Sequence, residues 1–273
     1  NIPDKYVGTA PLASYYLCRT EDVKSENVIE EYNWVSAAEF LDSLGIDIIS
    51  TSLGYVDFDN SQWDHVYSDL DGKTSVITIG SEIACSRGIL CVTSAGNEGG
   101  TAFPYISVPA DAENVLTVGA VDENGNRAPF SSVGPTYDNR IKPDVMAHGY
   151  GVIVAGSSAG SYYDGSGTSF SCPVLAGMAA CLWQAMPEYS ASQIMQIIRE
   201  SGHLYHNPNP EYGYGIPDFY KAYADHVGVD YYNPLEISAY PNPATEKLQL
   251  TNPERNIRYV RIYNTSGQLV LQQ

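Results

Sequence analysis

Between residues 13 and 200, short apolar runs alternate with longer segments whose apolar residues recur every three or four positions. The runs Ala13–Cys18, Asp47–Ser52, Ile89–Thr93, Val115–Val121 and Val145–Ala147 have the length and apolar content of strands. Glu30–Leu44 carries Trp34, Ala37, Ala38, Leu41 and Leu44 at helical spacing and stops at Gly45, a residue suited to a helix C-terminus. Ser75–Arg87 reads as a second helix, ending at Gly88. The glycine- and serine-rich stretch Gly156–Gly167 reads as a loop that leads into an apolar helix from Phe170 to about Met186, where Ala176, Gly177, Ala179 and Ala180 permit close packing. A last amphipathic helix spans Ser192 to about Glu200, with Ser190 and Gln193 spaced as a capping box. Strands alternating with helices predict an α/β fold built on a mostly parallel sheet flanked by helices.

The pattern changes near Gly228. Ile237–Tyr240, Lys247–Thr251, Tyr259–Asn264 and Leu269–Gln272 are short alternating segments, punctuated by Pro241-Asn242-Pro243 and Ser266-Gly267 turns. Two domains are therefore expected, residues 1–227 and a small β-sandwich-like module over 228–273, cut off inside a strand. The chain starts at Asn1 rather than Met, which is expected of a processed product or a fragment.

Composition narrows the function classes. With 14 Lys+Arg against 32 Asp+Glu the net charge is −18, a field that repels phosphate backbones and anionic lipid, so nucleic acid is not an expected partner. No apolar run reaches the roughly 20 residues of a membrane-spanning helix, and the opening Asn1-Ile2-Pro3-Asp4-Lys5 is unlike a signal peptide. The 22 Tyr, 24 Gly and 16 Pro, with only 17% charged residues, favour a secreted or cell-surface protein over a cytosolic one. Five cysteines without a Cys-x-x-Cys pair read as buried small hydrophobes, with no zinc site.

Chemistry concentrates in three loops. In Gly165-Ser166-Gly167-Thr168-Ser169-Phe170-Ser171-Cys172-Pro173, Ser169 stands at the mouth of a helix, whose free N–H groups can meet an oxyanion, and Pro173 fits an early helical turn. A plain helix N-cap is the alternative reading of Ser169. Ser94-Ala95-Gly96-Asn97-Glu98-Gly99 follows a strand end, where an Asn amide can donate to a developing negative charge. Ser50-Thr51-Ser52-Leu53-Gly54 offers an edge to which an extended peptide can pair. Loops at the ends of parallel strands converge where α/β proteins place their sites.

Together these segments resemble the subtilisin-like serine proteases, the subtilases, over most of Val7 to about Ala224. Phe130-Ser131-Ser132-Val133-Gly134, Lys142-Pro143-Asp144-Val145 and Gly213-Tyr214-Gly215 add to the likeness. The resemblance implies a hydrolase with Ser169 as nucleophile and Asn97 as oxyanion donor. It assigns Ser52, Leu53, Gly54, Ala95, Gly96 and Thr168 to substrate binding, for a protein or peptide substrate. The family's His-Gly-Thr segment and orienting Asp are missing: none of His65, His148, His203, His206 and His226 precedes Gly-Thr. Gly8-Thr9-Ala10-Pro11 resembles the turn that follows the family's histidine helix, so the peptidase domain is expected to lack its N-terminal part and this fragment alone to be inactive.

No organic cofactor is implied. The loop bearing Asp57, Asp59, Asp64, Asp69 and Asp71 invites calcium, as the family does, but departs from the EF-hand spacing, so a solvated acidic loop is the preferred reading and calcium the alternative; no metal ligand is assigned. The terminal module, through Ala239-Tyr240-Pro241-Asn242-Pro243-Ala244, Leu248-Gln249-Leu250 and Val260–Val270, resembles the sorting domain of the type IX secretion system of Bacteroidetes, which implies that machinery as a partner. A plain β-sandwich spacer is the other reading. The functional expectation is a secreted serine endopeptidase acting through an acyl-enzyme. The alternative is a non-catalytic, peptide-binding pseudoprotease. An unrelated serine esterase fits worst, because Gly-Thr-Ser-Phe-Ser is not the Gly-x-Ser-x-Gly elbow.

Overall fold

A computed structural model describes residues 7–158, 160–227, 238–240, 249–251, 261–263 and 268–272. The chain divides into two units, Asn1–Val227 and Gly228–Gln273.

The first unit is built on a parallel sheet of strands β1 (Ile48–Thr51), β2 (Leu90–Ser94), β3 (Leu116–Val121) and β4 (Val145–His148), in that spatial order. The ladder runs from Ile48 beside Leu90 through Val92 beside Leu116 to Val118 beside Val145. Side chains alternate across it: Leu90, Val92, Leu116 and Val118 enter one core, while Ile49, Ile89 and Cys91 enter the other. Both faces are covered, so these strands read as unbroken apolar runs.

Helix α1 (Ile29–Ser43) and helix α2 (Val76–Ser86) cover the second face, with Trp34, Ala38, Ile77 and Ala84 buried. Helix α3 (Thr168–Ala185), helix α4 (Ala191–Glu200) and helix α5 (Phe219–Val227) cover the first, through Cys172, Leu175, Ala179, Ile194, Ile198 and Ala222. Each such large aliphatic contributes about 1.5–3 kcal/mol on burial. Gly177 packs on Thr9, where a Cβ would collide with the threonine side chain, as the small-residue face of α3 requires. The α4 capping box forms as the sequence predicts: Ser190 N–H donates to Gln193 Oε1 at 2.8 Å, and Gln193 N–H donates to Ser190 Oγ at 3.4 Å. Two glutamates of α1, Glu30 and Glu31, are 1% exposed. Glu31 accepts from the free Ile77 N–H in the first turn of α2 and from His65 Nε2, so its charge lies at a helix N-terminus beside an imidazole.

Four features differ from the sequence reading. Only Cys91 and Cys172 of the five cysteines are buried, while Cys18 and Cys181 are exposed. Ala13–Cys18 forms no strand: Leu12 and Leu17 are 97% and 93% exposed, and no ladder partner lies beside the run among the described residues. A strand pattern alone does not make a strand, since its N–H and C=O groups need a neighbour. The stretch Gly156–Gly167 is not all loop. Strand β5 (Tyr150–Ala155) pairs antiparallel with β6 (Tyr162–Ser166), the tip falling near Gly156 and Gly160. The glycine at 165 interrupts the second strand's pattern. Helix α3 begins two residues before Phe170, so Ser169 lies inside its first turn and Pro173 inside its second.

The second unit, described by itself, shows two antiparallel pairs among its described residues. Strand β7 (Ser238–Tyr240) pairs with β8 (Gln249–Thr251), and β9 (Arg261–Tyr263) pairs with β10 (Leu269–Gln272). The Pro241-Asn242-Pro243 and Ser266-Gly267 turns lie outside the described residues.

Candidate functional site

The carboxyl ends of β1 and β2 deliver Ser52 and Asn97 to the first turn of α3. Gly167, with φ 156°, opens that helix in a conformation L side chains rarely take. Thr168 is fully buried. Its Oγ1 donates to Gly96 O at 3.1 Å and accepts from Gly96 N–H at 3.2 Å, which locks the loop after β2 onto the helix. Gly96 itself takes φ 108°, and a Cβ there would crowd Glu98 and Ser132.

Asn97 is exposed, yet its amide is oriented. Thr168 N–H, which can only donate, points at Asn97 Oδ1 at 2.9 Å, so the oxygen faces the helix and Nδ2 faces outward. The Thr168 hydroxyl lies 3.1 Å from the same Oδ1. The Ser169 N–H, in the first turn of α3, is the other donor outside this set of bonds.

Ser169 is half-buried, and its hydroxyl donates to Ser52 O at 3.3 Å. In return Ser52 Oγ donates to Ser169 O at 2.9 Å. Ser169 O is the carbonyl that residue 173 would engage in a regular helix, and Pro173 has no N–H to give. A buried carbonyl left unpaired costs about 1–3 kcal/mol. The sequence carried this signal, a proline four residues after the serine, but placing Pro173 in an early helical turn, where a missing N–H costs little, hid it. One turn further along, Cys172 Sγ lies 3.4 Å from both Thr51 O and Val92 O, which share its one proton, and burial pushes its thiol up to about 11, so it stays protonated.

The remaining predicted residues line the same corner. Ala95 is buried, its N–H donating to Val118 O at 3.0 Å; Leu53 is half-buried; Gly54 is exposed, its backbone close to Ser107 and Val108. Glu98 is held by Ser132, whose hydroxyl donates to Oε2 at 2.9 Å. Beyond Glu98 opens a cleft of about 460 Å³ with Val56, Asp57, Tyr67 and Phe103 in its walls. None of the five histidines bonds Ser169: His65 meets Glu31, His203 Nδ1 accepts from Ile216 N–H, and His226 Nδ1 lies 2.8 Å from Ala222 O.

The acidic loop has its carboxylates on nearby backbone. Asp64 accepts from Phe58 N–H, Asp69 from Val66 N–H, Asp71 from Lys73 N–H and Asp59 from Glu26 N–H. Among the described residues, the acidic atoms that converge within 4.8 Å belong to Glu21, Glu26 and Glu30. Burial first, then repulsion from Glu30, Glu21 and Asp59, raises Glu26 above the ordinary carboxylate value.

Comparison with known proteins places this geometry in a family. The subtilase family model matches residues 4–215, and the secretion system C-terminal sorting domain model matches residues 238–273. Serine protease AprX of Bacillus subtilis (strain 168) is 32% identical over 191 residues, covering 62% of this chain and 41% of that protein. Subtilisin DY of Bacillus licheniformis is 33% identical over 189 residues, covering 69% and 60%, and subtilisin NAT of Bacillus subtilis subsp. natto is 30% identical over 214 residues, covering 77% and 49%. The chain thus spans about half the length of the curated relatives it matches. Among solved structures, the self-cleaved protease domain of PatA superposes with a TM-score of 0.58 at 24% identity, covering 72% of this chain and 68% of that one. MycP1 with its N-terminal propeptide removed gives a TM-score of 0.62 at 20% identity, with 82% and 75% covered. Both show the same fold. With its parallel sheet flanked by helices and a family match across most of its length, the chain belongs to the subtilase family.

Proposed function

We propose that this chain is the nucleophile-bearing part of a secreted serine endopeptidase. Ser169 Oγ attacks the scissile carbonyl carbon and gives its proton to a histidine base. The oxyanion is held by Asn97 Nδ2 and the Ser169 N–H, the leaving amine takes the proton back, and water hydrolyses the acyl-enzyme. The base and its orienting Asp come from a part of the protein outside this sequence. The substrate chain lies along Ser52-Leu53-Gly54 and Ala95-Gly96. The observation that supports this reading best is the Asn97 amide, turned outward by its oxygen's bond to Thr168 N–H, beside the first turn of α3.

A second reading, a peptide-binding pseudoprotease, draws on the Ser169 hydroxyl resting on a carbonyl instead of an imidazole. Treatment of the natural full-length protein with a fluorophosphonate probe, followed by peptide mass mapping, separates the two. Covalent label on Ser169 is expected; an unlabelled Ser169 in folded protein would favour the binding reading. The match at residues 238–273 supports export through the type IX machinery. The natural protein should then accumulate outside the cell, and should stay inside when that machinery is disabled.

A further inference from the structure

We propose that Ser52 is a positioning residue for Ser169: its hydroxyl takes the place of the backbone N–H that Pro173 lacks and fixes the first turn of α3 against the end of β1. The proposal rests on Ser169 being the nucleophile and adds to that reading a device that holds it.

A helix carries residue i+4 as donor to the carbonyl of residue i. At Ser169 that donor is a proline, and the pyrrolidine ring also crowds the carbonyl it cannot bond. The backbone of the very residue that carries the reactive hydroxyl is therefore the one the helix does not hold. Ser52 Oγ supplies the missing donor at 2.9 Å from outside the helix. This bond ties Ser169 to the sheet rather than to the next turn of its own helix. The Cys172 thiol, donating to Thr51 O at 3.4 Å, repeats the tie one residue back along the strand.

The two bonds between Ser52 and Ser169 are unequal. The bond from Ser52 Oγ is of ordinary length, whereas the Ser169 hydroxyl reaches Ser52 O at 3.3 Å, well beyond the usual 2.7–2.8 Å of an O–H···O bond. The weaker bond is the one that must break when the Ser169 side chain turns towards a base. The stronger one keeps the backbone in place while it turns. The proton of the hydroxyl at position 52 thus serves Ser169.

The test is a double-mutant cycle on the natural full-length protein, with Ser52→Ala, Pro173→Ala and both together. It reads the rate of fluorophosphonate labelling at Ser169, kcat and KM on a peptide amide, and the thermal midpoint. With Pro173 present, Ser52→Ala should slow labelling roughly tenfold and lower kcat at unchanged KM. With Pro173→Ala, where an N–H returns to position 173, the same change should cost less than about twofold, because the helix now holds the carbonyl itself. Ser52→Thr keeps a hydroxyl and should restore the rate in the Pro173 protein. Equal losses in both backgrounds, or a raised KM with kcat intact, would overturn the proposal, the latter pointing to a substrate contact. A parent protein that takes no label at Ser169 would instead overturn the nucleophile reading. The thermal midpoints then still decide the Ser52 tie: coupling between positions 52 and 173 supports it, and strict additivity rejects it.

Discussion

The two ends of the parallel sheet both hold polar groups out of water, but in opposite ways. At the amino ends of β3 and β4, Lys142 is 2% exposed and Asp144 1%. Lys142 Nζ donates to Val115 O at 2.8 Å, Thr117 Oγ1 at 3.1 Å and Asp144 Oδ2 at 2.8 Å, using all three protons. Asp144 also accepts from Thr117 N–H, and its Oδ1 meets Arg199 at 2.6 Å. Burial works to raise Asp144, but Arg199 and then Lys142 outweigh it and hold the carboxyl below its ordinary value. That end is sealed. At the carboxyl ends of β1 and β2, the bonds among Ser52, Gly96, Asn97, Thr168 and Ser169 instead leave an amide and a backbone N–H turned outward. Lys142 spends all three of its protons inside the protein, although Arg199 Nε beside it has no partner; donors turned outward at the other end can bind, and parallel sheets carry their sites at the carboxyl end.

The largest effect should come from Ser169→Ala. It should abolish fluorophosphonate labelling and reduce peptide hydrolysis by the full-length protein about 10⁶-fold, as in subtilisin. Its thermal midpoint should barely move, since only a long hydrogen bond is lost.

At the sealed end the ordering reverses. Asp144→Ala leaves Lys142 buried without its partner and should cost about 3–5 kcal/mol in urea unfolding, while the folded fraction labels at the parent rate. Comparable stability losses from both substitutions would erase the contrast between the two ends.

Asn97→Asp sharpens it. The acceptor for Thr168 N–H survives, but the Nδ2 donor does not, so kcat should drop about 10²–10³-fold, the loss seen on removing subtilisin's own donor, with little change in midpoint. A large loss of stability instead would mean that Asn97 serves the loop more than the reaction.

Acid reads the sealed end directly. Because the folded Asp144 carboxyl lies below its unfolded value of about 3.9, its stabilisation is complete above that pH and is lost as pH falls through the folded value. Asp144→Asn should therefore flatten the stability profile below about pH 4. The smallest effect belongs to Glu26, raised in the folded state, which costs stability as pH rises above about 4.3. Glu26→Gln should raise stability at pH 7 by no more than about 0.5 kcal/mol, given solvent screening, and change nothing near pH 3.

Much of this was legible before the structure. Trp34, Ala38 and Leu41 announced α1, and Ser190 and Gln193 announced the start of α4, because local periodicity and capping depend on neighbours in sequence; Gly-Thr-Ser and Ala-Gly-Asn marked the two loops that meet at the candidate site. The hairpin β5–β6 was hidden by Gly151 and Gly165, whose missing side chains interrupt a strand pattern. The short helix α5 lies past the last clear apolar period and is held by Ala222 and Ala224 in the core. Ser52 was legible as part of a groove, but its bond to Ser169 spans 117 residues, a distance no local pattern covers.

Residue order by itself determined the α/β alternation, the break near Gly228, the acidic charge and the identity of the groups at the site, since each follows from composition or near-neighbour spacing. Tertiary structure alone decided which way the Asn97 amide points, which donor replaces the one Pro173 lacks, and that Ala13–Cys18 has no strand partner among the described residues. Those outcomes depend on groups far apart in the chain, and a hydrogen bond exists only where packing brings its donor within about 3 Å of its acceptor.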